Sequence, residues 1–182
     1  MDDDRILREA PRDPTGSAED ARDRVERAMA QAERHGERLA VLQVHIAGED
    51  GGEPSDPLLR QVTLRLIGGL RVTDQVLAGG SDRLLVLLPG VESVGAAAIV
   101  ARKVLALLAQ PFASDGRDAR LEGCVGMALY PDHGFDPDAL LRNAEEAMRR
   151  AGQRGDAEVR WYAPPTVVVD GEGEPRLDRG IA

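Results

Sequence analysis

QVLAGGSDRLLVLLPG, residues 75–90, reads as two short apolar runs around a glycine-rich turn. Gln75-Val76-Leu77 and Leu84 to Leu88 carry β-favouring residues, and Ala78-Gly79-Gly80-Ser81-Asp82 between them supplies the glycines that a tight reversal needs. A hairpin pairs its strands antiparallel, so a sheet that contains this one is not purely parallel.

N-terminal to the hairpin, Leu39 to Ile46 (LAVLQVHI) is a strand, with Gln43 and His45 alternating with Val44 and Ile46. Before it, Ala21, Val25, Ala28, Met29 and Ala32 recur at helical spacing from Ser17, and Gly36 is the stop. Between strand and hairpin, a Gly-rich acidic loop (Gly48 to Ser55) leads to a helix with Asp56 as N-cap and Pro57 at its first position. That helix runs to about Leu70 and turns Leu59, Val62 and Leu66 to the core. After the hairpin come a helix over Ser93 to Leu108, a strand over Arg120 to Leu129, an amphipathic helix over Pro137 to Gly152 and a last strand over Val159 to Tyr162. The order αβαββαβαβ predicts an α/β (α+β) domain of palm-like or ferredoxin-like design: a central mixed antiparallel sheet flanked by helices. The domain is expected over residues 17–163, with a flexible tail over 1–16 and a largely disordered one over 164–182, where Val167-Val168-Val169 is the single apolar run.

The chain has 182 residues, 42% of them hydrophobic, which suits one domain with one core. Net charge is −9 and aromatic residues make up 3%, so neither the basic field nor the stacking platform of a nucleic-acid binder is present. Cys124 is the only cysteine, which leaves no internal disulfide and fits a reducing compartment. The opening MDDDRILREA has no basic-then-apolar leader, and no apolar run approaches the roughly 18 residues of a membrane span. The expectation is a cytoplasmic protein that engages neither membrane nor nucleic acid.

Five segments, in order, resemble the GGDEF family of diguanylate cyclases. Asp13-Pro14-Thr15-Gly16 is similar to a shortened DPLTGLPNR entry loop, and Ser81 to Gly90 (SDRLLVLLPG) to the strand that follows the signature turn. Ala106 to Phe112 (ALLAQPF), Val125 to Pro131 (VGMALYP) and Leu140 to Ala151 (LLRNAEEAMRRA) resemble the closing segments. The resemblance implies the nucleotidyl-cyclase palm fold and a chemistry of phosphoryl transfer, which needs divalent metal to neutralise triphosphate charge.

Several residues that the family uses for this chemistry are different here. The family's metal-binding Asp at the end of the first strand corresponds to His45, a poor magnesium ligand. The GG[DE]EF turn reads Gly80-Ser81-Asp82-Arg83-Leu84, so Asp82 keeps the third letter and Arg83 replaces the acid at the fourth. A guanidinium in place of a carboxylate exchanges attraction for repulsion, on the order of 4 kcal/mol per unit charge pair at ~4 Å and an effective dielectric of ~20. The FKxINDTLGH stretch shrinks to Glu49 to Pro54, and Asp56 matches a guanine-binding Asp, although a helix cap is the simpler reading of it. In AKxxGRN, the phosphate-binding Lys corresponds to Gly152 and the Arg to Asp156. No catalytic residues, metal site or cofactor are therefore expected.

Arg71-Val72-Thr73-Asp74 stands where the family carries the RxxD of its product-binding inhibitory site, and Arg102 matches a second arginine of that site. Two arginines offer forked bonds to phosphate and Asp74 an acceptor for a guanine edge. The bland reading is a helix-end cation, a turn residue and a solvated helix charge. His45 and Cys124 read as packed strand residues, Glu145 and Glu146 as a solvated helix face, and Trp161 and Tyr162 as edge packing. The expected function is a catalytically inactive GGDEF-like module in cyclic di-GMP signalling that binds the dinucleotide at Arg71, Asp74 and Arg102. The alternatives are a nucleotide-independent scaffold or dimerisation module, with a protein partner or a second copy, and, more remotely, an active cyclase.

Overall fold

The computed structural model describes residues 18–114, 117–152, 159–162, 166–169 and 175–178. The expected N-terminal tail and the residues matched to the entry loop lie outside these ranges, as does Asp156. The first helix, α1 (Ala18–His35), ends at Gly36, whose φ of 66° is the left-handed conformation that glycine adopts without strain. Next come β1 (Leu39–Gly48), α2 (Asp56–Gly69), β2 (Gln75–Ala78), β3 (Arg83–Pro89) and α3 (Val94–Leu108). The chain continues with β4 (Phe112–Ser114), β5 (Arg117–Ala119), β6 (Leu121–Tyr130), α4 (Pro137–Gly152) and β7 (Val159–Trp161). Two further strands, β8 (Thr166–Val169) and β9 (Pro175–Asp178), pair with each other.

The main sheet has the order β2-β3-β1-β6-β7, antiparallel throughout except for the parallel β6–β7 pair. The 75–90 hairpin thus forms one edge of the mixed sheet that the sequence predicts. Alternation along β1 sorts the core into two layers. Ala40, Leu42, Val44 and Ile46 pack with Leu59, Val62 and Leu66 of α2 and with α3. Leu39 and Val41 pack on the other face with Val25 and Met29 of α1 and Leu140 and Ala144 of α4. On that second face Gln43 and His45 are only half-buried, whereas Val44 and Ile46 opposite are fully buried. The α1/α4 layer therefore opens at the C-terminal end of β1, and this opening positions the site.

Three local features differ from the sequence reading. The N-cap of α2 is Ser55, with extended φ and ψ of −65° and 155°, and Asp56 is already helical. The Ser55 side chain makes no capping bond, Ser and Asp are both favoured before a helix, and a proline in the first turn suits either register. The short β4–β5 hairpin, Phe112↔Ala119 to Ser114↔Arg117, follows α3 where no strand is expected, because its sequence is largely polar and carries one large apolar residue, Phe112. In the C-terminal stretch expected to lack order, the Val167-Val168-Val169 run lies on β8, opposite Leu177, Arg176 and Pro175 of β9.

Candidate functional site

The signature turn is pinned to the end of the first strand by backbone bonds. Gly79 N–H donates to the carbonyl of Arg83 at 2.9 Å, closing the reversal, and Ile46 N–H donates to the carbonyl of Asp82 at 2.8 Å. Gly80 within the turn has φ 145°, a region open to glycine and costly for other residues. The β-register sets His45 opposite Arg83 on one side and opposite Cys124 of β6 on the other. All three side chains line a cavity of about 380 Å³ beneath the C-terminal half of α4, together with Arg142, Glu145, Met148 and Arg149.

Charges at this opening are paired within the chain. His45 Nε2 lies 3.3 Å from Asp82 Oδ2, Arg83 Nε lies 3.6 Å from Asp82 Oδ1, and Arg83 Nη1 donates to Glu145 Oε1 at 2.7 Å. On α4, Glu146 accepts from both Arg149, at 2.8 Å, and Arg150, at 2.9 Å. Desolvation pushes the Glu146 carboxyl pKa up, but the bonds and charges of the two arginines together outweigh it and hold the group below its ordinary value. Cys124 packs with Met148 and Ala151, with its thiol 3.6 Å from the Met148 carbonyl. Cys124 is thus the packed residue that the sequence suggests, while His45 is a half-exposed cleft residue. Glu145 is likewise more than a solvated charge, because it holds the signature-turn arginine from 62 residues away in sequence. Helical periodicity marks Glu145 as polar-facing and carries no information about that distant partner.

The second group of candidates lies past the end of α2. Arg71 N–H donates to Asp74 Oδ2 at 2.9 Å, and Asp74 N–H donates back to the Arg71 carbonyl at 3.0 Å, so the two form one closed turn. Burial pushes the Asp74 carboxyl pKa up, opposed by its bond to the Arg71 backbone and by the charges of Arg71 and Lys103. Arg71 is exposed, and so is Arg102 on α3. The structure therefore joins Arg71 to Asp74. Among the described residues no ion pair or hydrogen bond ties Arg102 to either, and Lys103, which the sequence does not single out, is the α3 cation whose field reaches Asp74. Trp161 is half-exposed on the edge strand β7, and Tyr162 packs against the α1/α4 layer with its ring 5.9 Å from that of His133. No helix among the described residues is long and apolar enough to cross a membrane.

A mixed sheet with helices on both faces, whose hairpin turn meets the end of the first strand at a cleft under the last helix, is an α/β domain of the cyclase-palm type. Residues 19–158 match the family described as diguanylate cyclase, GGDEF domain, and the chain belongs to that family. It is 35% identical over 156 residues to diguanylate cyclase TpbB of Pseudomonas aeruginosa, a match that takes in 81% of this chain and 36% of TpbB. The solved GGDEF domain of TpbB superposes with a TM-score of 0.69 at 32% identity, covering 78% of this chain and 87% of that one. The GGDEF domain of DgcB from Caulobacter crescentus, solved in complex with c-di-GMP, superposes with a TM-score of 0.64 at 16% identity, covering 84% of this chain and 96% of that one. This last likeness is one of fold.

Proposed function

We propose that this chain is a non-catalytic GGDEF domain that serves as a binding and regulatory module in cyclic di-GMP signalling. The observation that carries the reading is the placement of Arg83. Its guanidinium stands at the fourth signature letter and is committed to Glu145 at 2.7 Å, beside Asp82 and His45. Magnesium takes oxygen ligands, and a positive charge beside the remaining carboxylates repels it. Among the described residues no group of three or more His, Cys, Asp or Glu is arranged to hold a metal ion. Gly152, matched to the family's phosphate-binding Lys, lines the same cavity and offers no cation.

The regulatory part of the proposal assigns cyclic di-GMP to Arg71, Asp74 and Arg102. The turn that fixes Asp74 uses the Arg71 backbone and leaves its guanidinium without a hydrogen-bond partner among the described residues, available to fork onto a phosphate. Titration calorimetry with cyclic di-GMP tests this. The wild type is expected to bind, and Arg71→Ala to weaken binding roughly ten- to a hundredfold, the value of one or two charge-assisted hydrogen bonds. Absence of heat with the wild type would reject the dinucleotide and leave the nucleotide-independent interaction module.

A further inference from the structure

The fold family implies a divalent ion in the cleft under α4, and the side chains present do not fit one. This mismatch has a definite geometry. Arg83 leaves the start of β3 and reaches two ways, with Nη1 on Glu145 Oε1 of α4 at 2.7 Å and Nε facing Asp82 Oδ1 of the turn at 3.6 Å. The second oxygen of Asp82 faces His45 Nε2 at 3.3 Å. One continuous chain of polar groups, His45, Asp82, Arg83 and Glu145, thus crosses from the end of β1 through the signature turn to α4. Arg83–Glu145 fastens the sheet to this helix, whereas Arg22–Asp138 joins α4 to α1, and Arg38–Asp132 joins the residue before β1 to the loop before α4.

We propose that, in a cleft that Arg142 and Arg149 also line, the Arg83 guanidinium is the resident cation of the signature turn. It gives the turn carboxylate the positive charge that a metal would otherwise supply, and it straps α4 to the turn, so that the wild-type chain takes up no divalent ion there. The competing reading is an incidental surface pair. The side chains of Arg83 and Glu145 are 40% and 53% exposed, and an isolated pair of that kind is screened and worth little. The two readings differ in what happens when the cation is removed. An incidental pair leaves only a small loss of stability, whereas loss of a resident cation leaves the carboxylates of Asp82 and Glu145 without the charge that served them, which a metal can then replace.

The proposal rests on the register that sets Asp82 and Arg83 under the third and fourth signature letters, as the proposed function does. The test is thermal unfolding of the whole chain in EDTA and in millimolar Mn2+, with Mn2+ uptake followed by loss of the free-ion EPR signal. The wild type is expected to melt at the same temperature in both and to leave the Mn2+ signal unchanged. Arg83→Glu is expected to melt roughly 3–6 °C lower in EDTA and to recover most of that loss with Mn2+, while depleting the free-ion signal. Mn2+ uptake by the wild type, or an Arg83→Glu protein indifferent to Mn2+, would overturn the proposal. Should Arg83→Glu fail to fold, Arg83→Gln and Glu145→Gln still decide: a strap predicts that the double variant melts no lower than Arg83→Gln alone, and additive losses contradict it. The readout is separate from that of the proposed function, since cyclic di-GMP made from GTP by the wild type would reject the non-catalytic reading whatever the Mn2+ result.

Discussion

Gly126→Ala is expected to destabilise the protein more than any other single substitution considered for it. Gly126 lies in the middle of β6, opposite Gln43 of β1, on the face covered by α4. A Cβ built there runs into backbone atoms of the helix, the Met148 nitrogen and the Ala144 carbonyl oxygen, so no rotamer change relieves the overlap. The helix comes this close because its buried positions Ala144, Ala147 and Ala151 are themselves small. Adding one methyl group forces α4 away from the sheet and strips contacts from Leu140 and Met148, at a cost of about 3 kcal/mol or more. Against a typical domain stability of roughly 5–15 kcal/mol, that leaves a marginal fold. Thermal unfolding followed by circular dichroism checks it; a midpoint within about 3 °C of the wild type would show that α4 does not approach β6 as described.

Arg65→Ala is expected to cost about 2–3 kcal/mol, far more than a surface arginine ordinarily contributes. Its guanidinium closes the C-terminal end of α3. Nη1 donates to the carbonyls of Leu107 at 3.3 Å and Gln110 at 2.8 Å, and Nη2 to that of Pro111 at 2.8 Å. These acceptors include a helix-end carbonyl that has no partner within its own helix, and the cation also complements the negative end of the helix dipole. The same group lies 3.5 Å over the ring centroid of Phe112, which is fully buried at the start of β4. Arg65→Lys should lose more than half of the effect, because an ammonium cannot fork to three carbonyls while lying flat on a ring. Urea unfolding of the wild type and the two variants measures this, and a common midpoint for all three would contradict the capping role.

The same residues explain what the sequence reveals and what it hides. The 75–90 hairpin is legible because two apolar runs flank a pair of glycines, a purely local signal, and α4 because its apolar residues repeat with the helical period. The choice between Ser55 and Asp56 as cap is hidden because both residues satisfy the same local rule. The β4–β5 hairpin is held from outside its own sequence: Gln61 of α2 donates to the Ala113 carbonyl at 2.9 Å, and Arg65 covers Phe112. Tertiary support of that kind leaves no periodicity to read. At the cleft, the sequence identifies His45, Asp82 and Arg83 one by one through a family resemblance. The pairing of Arg83 with Glu145 depends on α4 folding back over the sheet, and nothing near either residue announces it.

Whether this cleft performs chemistry is measured most directly by incubating the purified chain with GTP and either Mg2+ or Mn2+, with cyclic di-GMP followed by chromatography against a chain-free control. With Arg83 held by Glu145 at 2.7 Å and His45 at the end of β1, no product above that control is expected with either ion. Time-dependent accumulation of cyclic di-GMP, scaling with protein concentration, would contradict the non-catalytic reading.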